Sequence, residues 1–533
     1  MDALVADVVI VGFGAAGACA ALEAADAGAD VVIVERFAGG GASAVSGGVV
    51  YAGGGTRQQL DAGVDDSVDA MYAYLRLETG DVVSEKTLRQ FCEGSREMIT
   101  WLEGNGVPFE GSLCPYKTSY PSDAHYLYYS GSEAAGGFRD AAKPAPRGHR
   151  VKGPGTSGKL LMARLKAAVR ARGIRVLTQT TARALLRDGD GRVTGLVADT
   201  LSDAPAWVRA RHQRFAQYAA KPGIYVPALR KSLHRRVERF ERAHGRELRI
   251  SARRGVVLAA GGFIADRDMV REHAPKYRGG LPLGTSADNG SGIRMGVEAG
   301  AATGELGRIS AWRFITPPSA FLGGIIVDAA GRRVIDESRY GAAVGEKLIE
   351  DHESKGWLLV DAPIVAEARR DTKAQSQWFQ GLQLRYLLRR GRVVGATVEE
   401  VARKAGVDPQ GLRASVEAYH GEEDPAGKPA EFRRRLEKPP FSLIDISVRP
   451  NLGYPTPMLT LGGVVVDEDT GAVRDTAGEP IPGLYAAGRT AVGICSRSYV
   501  SGLSLADCVF SGRRAGINSA LAQGVLDKNE NVF

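Results

Sequence analysis

A chain of 533 residues, 44% hydrophobic and 24% charged, carries enough apolar side chains for a large core and is expected to form two or more domains rather than a disordered segment. Five cysteines (Cys19, Cys92, Cys114, Cys495 and Cys508), odd in number and without a CxxC pair, argue against a disulfide framework or a thiolate metal site and predict a reducing, cytoplasmic setting. Net charge is +8, but fourteen Lys and Arg against three Glu fall between Trp207 and Arg254, so one segment makes an otherwise slightly acidic chain basic.

The first apolar run, Val8 to Val11, reads as a buried parallel strand and meets a glycine loop at Gly12, too early for a signal peptide. No uninterrupted apolar stretch is long enough to span a bilayer. Gly12-Phe13-Gly14-Ala15-Ala16-Gly17 is a GxGxxG loop entering the helical stretch Ala18–Ala27. Gly12 serves a tight turn, Gly14 lets backbone N–H groups approach a pyrophosphate, Gly17 permits close helix–strand contact, and Ala15 and Ala16 are cofactor candidates within the loop. A second strand, Val31–Val34, ends in Glu35, whose carboxylate suits a ribose diol and disfavours a 2′-phosphate, with Arg36 beside it. The small-residue run from Gly39 to Gly48 brings Ala42, Ser43, Ser46, Gly47 and Gly48 against a flat ring system, a segment that an NAD domain does not need.

Tyr116, Tyr120, Tyr126, Tyr128 and Tyr129 crowd into one segment of a chain with only 7% aromatics, and Tyr116 and Tyr120 are taken from it as substrate-pocket candidates. Between Val193–Ala198 and the strand Glu247–Ile250, about fifty residues are inserted where a hairpin turn would suffice. Pro205–Ala220 and Pro227–Ala243 each begin with proline and read as helices, giving a basic helical hairpin over about 200–246. Its apolar tip, Ile224-Tyr225-Val226, and Trp207, Phe215 and Tyr218 among arginines predict peripheral contact of residues 206–244 with an anionic surface such as the inner face of the cytoplasmic membrane. No nucleic-acid recognition motif accompanies the charge. Two further strand-to-glycine turns, Gly255–Gly262 with Ala260 and Gly261, and Gly483–Gly488 ending in Gly488, complete three distant segments that converge on one cofactor, FAD rather than NAD.

This arrangement resembles the succinate dehydrogenase and fumarate reductase flavoprotein family over nearly the whole chain. The resemblance implies an α/β fold: a Rossmann-like FAD-binding domain over 1–303 and 441–533, interrupted by an α+β catalytic cap over 304–440 that contains the helical Val401–Tyr419 region. Residues Asp527–Phe533 are expected to fray. Gly284–Gly290, with Asp288, is similar to the family's loop before an FAD-domain helix, and Leu461-Gly462-Gly463-Val464 to its strand returning from the cap. Where dicarboxylate-handling members carry His and Arg, this sequence has Cys495, Tyr499 and Leu459, which disfavours a dianionic substrate. The place of a flavin-linking His is taken by Gly41, so FAD is expected to be held non-covalently.

Within that family the pattern is most similar to the 3-ketosteroid dehydrogenases of the Δ4-(5α) type, on the motifs Val334–Gly341 and Ser498–Ser504. The resemblance implies Tyr340, Tyr499 and Ser501 as a catalytic trio, Gly502 and Leu503 as substrate contacts, and Leu503, Ser504 and Leu505 as further FAD contacts. Δ1-type members show Tyr-x-x-x-Gly, which here ends in Leu503. Desaturation beside a ketone needs an electrophile on the carbonyl oxygen, a base for the acidified α-proton and a hydride acceptor. Tyr499, with a backbone N–H near Gly502 or Leu503, is the candidate electrophile, and Ser501 assisted by Tyr340 the candidate base at carbon 4. Hydroxyls are poor bases at their ordinary pKa, so a cationic field from Arg497 or Arg339 is expected. The implied partners are a steroid and a quinone or other electron acceptor. The competing readings are Δ1-desaturation or reduction of another enone and, in another class, an electron-transferring subunit docked on a membrane complex through the hairpin.

Overall fold

A computed structural model describes residues 3–523, so Asp527–Phe533, the segment expected to fray, lies outside the described residues. Its central sheet runs in the order Ala472–Arg474, Pro480–Ala486, Arg246–Leu258, Ala3–Val11, Val31–Val34, Arg175–Leu177, parallel from the second strand onward. Val8–Ile10 and Val31–Val34 are buried because helices or further strands cover both faces, which is why they read as unbroken apolar runs. The Ala15–Asp26 helix packs on the Leu503–Leu521 helix through glycines: a Cβ at Gly512 would lie 2.5 Å from Ala16 O, and one at Gly516 2.3 Å from Ala20 O. This close approach seats the N-termini of both helices on one side of the sheet. The fold is the α/β, Rossmann-like FAD domain with an inserted cap that the resemblance implied.

The cap is built on an antiparallel sheet of Ile325–Val327, Trp357–Val360, Phe441–Asp445 and Arg392–Gly395. Phe441–Asp445 pairs with Trp357–Val360, so the cap extends past the boundary expected at 440. The expected helical region is two helices, Val398–Ala405 and Pro409–Tyr419, separated by Gly406 in the left-handed region (φ +71°) and restarted by the Asp408 cap before Pro409. Ile309–Ala311 leads into the cap alongside Pro457–Thr460, which leads back, so the two crossings are hydrogen-bonded neighbours.

The insertion forms helices Ala206–Ala220 and Pro227–His244, joining strands Val193–Thr200 and Arg246–Leu258 that already pair Thr200 to Arg246. No helix among the described residues is long and apolar enough to cross a membrane.

Candidate active site

The glycine loop is shaped by contacts that exclude any side chain. A Cβ on Gly12 (φ +102°) would lie 2.5 Å from Ala259 O, and one on Gly17 2.0 Å from Gly12 O. Gly14 is less confined, a Cβ there lying 3.7 Å from the Ser43 hydroxyl, which accepts from Ala15 N at 3.1 Å. The loop borders a cavity of about 510 Å³ that reaches Tyr499.

Of the expected cofactor residues, Gly12, Gly14, Ala15, Ala16, Glu35 and Arg36 border this cavity, as do Ala42, Ser43 and Ser46. Ala260, Gly261, Asp288, Ser504 and Leu505 border it from the other side. Gly17, Gly47, Gly48, Gly488 and Leu503 are not in the lining; the glycines among them pack behind it, Gly48 against Ser157–Gly158 and Gly488 against Ala16. The Glu35 carboxylate accepts from Phe13 N and Phe37 N, both at 2.8 Å, which ties the second strand to the glycine loop. Asp288 accepts from Thr285 N at 2.9 Å and from Arg489 at 2.5 Å, while the other terminal nitrogen of Arg489, Nη1, is buried without a protein partner.

These features fit FAD. Two helix N-termini, at Ala15–Ala16 and Ser504–Leu505, present N–H groups to the cavity, and the orphaned Arg489 Nη1 adds a buried cationic donor. Gly41 lines the cavity without a side chain, and no histidine lines it among the described residues. Arg489 was missed by sequence reasoning although it directly follows Gly488.

The three expected hydroxyls come together, with Tyr499 bordering this cavity while Tyr340 and Ser501 lie behind it, outside the lining. The rings of Tyr340 and Tyr499 are 6.2 Å apart, and Ser501 lies beside Tyr340. The Tyr499 phenol sits by the Gly502 amide. Gly502 opens the Leu503–Leu521 helix at φ +92°, where a Cβ would meet Tyr51 N at 2.8 Å. Burial pushes the phenols of Tyr340 and Tyr499 up, so both are neutral hydrogen-bond donors near neutral pH. Leu459 and Leu283 line the same cavity.

Two neighbours were not singled out from the sequence. Trp312, entering the cap, stacks on Tyr499 with centroids 5.2 Å apart and planes 24° from parallel. Tyr128, noted only as part of an aromatic cluster, is fully buried and its hydroxyl is 3.0 Å from Ser501 Oγ. The chain after Tyr128 continues this support. Ser130 donates to Ser501 O at 3.0 Å, and Ser132 Oγ accepts from Tyr340 N at 3.1 Å. Beneath it lie Lys117, which donates to Gly131 O and whose pKa burial lowers, and Glu133, whose pKa burial raises.

Several expectations are placed elsewhere. Arg497 pairs with Asp81 at 2.7 Å on a half-exposed side chain, so it supplies no field to the trio. Arg339 stacks over Phe138 at 4.9 Å instead of reaching Ser501. The Tyr120 hydroxyl donates to Gly47 O and Gly155 O at 2.8 and 3.0 Å, and Tyr116 packs beside His125; neither borders the cavity. Cys495 is buried against Asp507 rather than exposed to the cavity. The hairpin expected at a membrane turns its inner face to the cavity, where Glu238, Glu241 and Arg242 join the lining.

Comparison with known proteins places the whole chain. A family model described as an FAD binding domain matches residues 7–502. The chain is 38% identical over 504 residues to a 3-oxo-5-alpha-steroid 4-dehydrogenase of Comamonas testosteroni, covering 90% of this chain and 92% of the relative. It is 26% identical to a 3-oxosteroid 1-dehydrogenase of Mycobacterium tuberculosis over 92% of this chain and 94% of that protein. The solved structure of 3-ketosteroid-delta4-(5alpha)-dehydrogenase from Rhodococcus jostii RHA1, in complex with 4-androstene-3,17-dione, superposes with a TM-score of 0.79 at 31% identity, covering 97% of both chains.

Proposed function

This chain belongs to the FAD binding domain family, and on that footing we propose that it is an FAD-dependent 3-ketosteroid dehydrogenase that introduces the Δ4 double bond into a 5α-3-ketosteroid. The observation that carries the reading is the convergence of Tyr340, Tyr499 and Ser501, of which Tyr499 borders the dinucleotide cavity. Leu459 and Tyr499 stand there where dicarboxylate enzymes place charged side chains. A neutral, ring-shaped ketone is suited to such walls, whereas a dianion would meet a large desolvation penalty.

Bound FAD supplies the hydride acceptor, its N5. Tyr499 and the Gly502 amide donate to the 3-keto oxygen and stabilise the negative charge that grows on it. Ser501 receives the carbon-4 proton as it gives up its own hydroxyl proton to the cluster of Tyr128 and Tyr340, which passes it on to solvent, so that every hydroxyl ends neutral. Trp312 keeps the Tyr499 ring in place by stacking. The substrate thereby loses a proton from carbon 4 and a hydride from carbon 5. Anaerobic titration of the yellow protein with 5α-androstane-3,17-dione should bleach the flavin band, and Tyr499→Phe or Ser501→Ala should slow bleaching by about 100-fold without releasing FAD. Bleaching at normal rates in both variants would remove their assigned roles.

Δ1-desaturation is the second reading, favoured only by likeness to the 1-dehydrogenase relative. A quinone or other acceptor is proposed as reoxidant, with the protein cytoplasmic and peripheral on an anionic membrane. The support is the outer face of the hairpin, where Trp207 is 52% exposed and Tyr218, Tyr225 and Val226 are exposed among arginines. Co-sedimentation with anionic vesicles should fall on replacing Trp207 and Tyr225 by Ser; unchanged pelleting would leave the hairpin without a membrane role.

A further inference from the structure

The strands joined by the hairpin are already paired, so the sheet itself does not require the insertion. Its second helix nevertheless reaches across the cavity and is anchored on two sides. On one side Arg36 donates through Nε and Nη2 to the two carboxylate oxygens of Glu241, at 2.9 and 2.8 Å. His212, from the first helix, closes on the same carboxylate at 3.1 Å and is itself held by Gln179 at 2.9 Å. On the other side Arg230 donates to Pro282 O at 3.0 Å and Gly284 O at 3.3 Å, just before the Thr285–Asn289 loop that borders the cavity. Arg230, His212 and Glu241 are buried. Between these anchors Glu238 and Arg242 line the cavity with Glu241. Glu35, immediately before Arg36, marks the adenosine-ribose end of a dinucleotide fold.

We propose that the hairpin is a clasp over the adenosine half of the cofactor, bridging the Glu35 wall and the Asp288 wall, and that it sets how slowly FAD leaves. The clasp rests on the assignment of FAD to this cavity. Arg242 and Glu238 are the hairpin side chains that face the nucleotide, while Arg36, Glu241, His212 and Arg230 hold the helix in position. The outer arginines add a positive field at the mouth of a site for an anionic diphosphate.

The test is the rate of FAD release from the holoprotein on dilution, followed by the rise in flavin fluorescence, for wild type and for Arg230→Ala, Glu241→Gln and Arg242→Ala. Breaking either anchor leaves a buried charge or carbonyl without its partner, so Arg230→Ala and Glu241→Gln should release FAD about tenfold faster or more. If either fails to fold, Arg242→Ala, at an exposed position on the rim, carries the test alone, with faster release expected. Release at the wild-type rate in every folded variant overturns the clasp. A wild-type protein that neither carries nor takes up FAD would instead overturn the cofactor assignment on which the clasp rests.

Discussion

Ser501 owes its orientation to side chains far away in sequence. Tyr128 is the hydroxyl partner nearest its Oγ, and Ser130 holds its carbonyl. Replacing Tyr128 by Phe keeps the ring's packing and removes one hydrogen bond from the proposed base. The expected result is flavin reduction slowed by about tenfold, with FAD retained and the pH profile of reduction displaced; stopped-flow absorbance across a pH series checks both. An unchanged rate and profile would make Tyr128 a packing residue. Tyr499 and Ser501 could be named from the motif that runs into the helix start at Gly502, and Tyr340 from the separate motif Val334–Gly341. Tyr128, Trp312 and Arg489 could not, because their meaning comes from a neighbour up to several hundred residues distant. Arg497 misled for the same reason: its position in the motif is close to Tyr499, but its side chain turns out to Asp81.

Elements were readable where periodicity or a cap marks them. The parallel strands appeared as short apolar runs ending in glycine, and the hairpin helices are marked by Pro205 at the N-cap of one and Pro227 at the first position of the other. The hairpin's inner face was not readable. Its arginines suggested a solvent or membrane surface, whereas Glu241, one of few acids in the segment, turned out to be the anchor. That anchor gives a pH dependence. Burial alone would raise the Glu241 carboxyl, but His212 and Arg36 hold it down at about 2 against an ordinary value of 4.5. A depressed carboxyl stabilises the docked state fully above its unfolded pKa and loses that contribution as pH falls toward the folded one, a difference of roughly 3 kcal/mol. FAD retention by the wild type should therefore decline between about pH 4.5 and 2. Glu241→Gln should start weaker and lack this component, as equilibrium filtration of flavin at each pH would show. Parallel curves for the two proteins would place the acid sensitivity elsewhere.

At the scale of the whole molecule, the cap and the FAD domain share a core at the reactive end, where Tyr340 and Ala342 are buried in the same cluster as Tyr499 and Leu503. The FAD domain contributes Tyr499 and Ser501 from the turn before its last helix, and the cap contributes Tyr340 just before its Gly341–Asp351 helix. The segment Tyr128–Ser132 holds both, through Ser501 and the Tyr340 amide, so the trio depends on the domains staying in register. The glycine segments that return late in the chain are the sequence's sign of two units, whereas Phe441–Asp445 joins the Trp357–Val360 sheet through a pairing that no local pattern marks. At this junction, on the proposed function, a 3-ketosteroid is desaturated between carbons 4 and 5. Turnover of 5α-androstane-3,17-dione with an artificial electron acceptor, followed by identification of the product, tests it most directly. The expected product is 4-androstene-3,17-dione; a product unsaturated between carbons 1 and 2, or no product while FAD remains bound, would overturn the assignment.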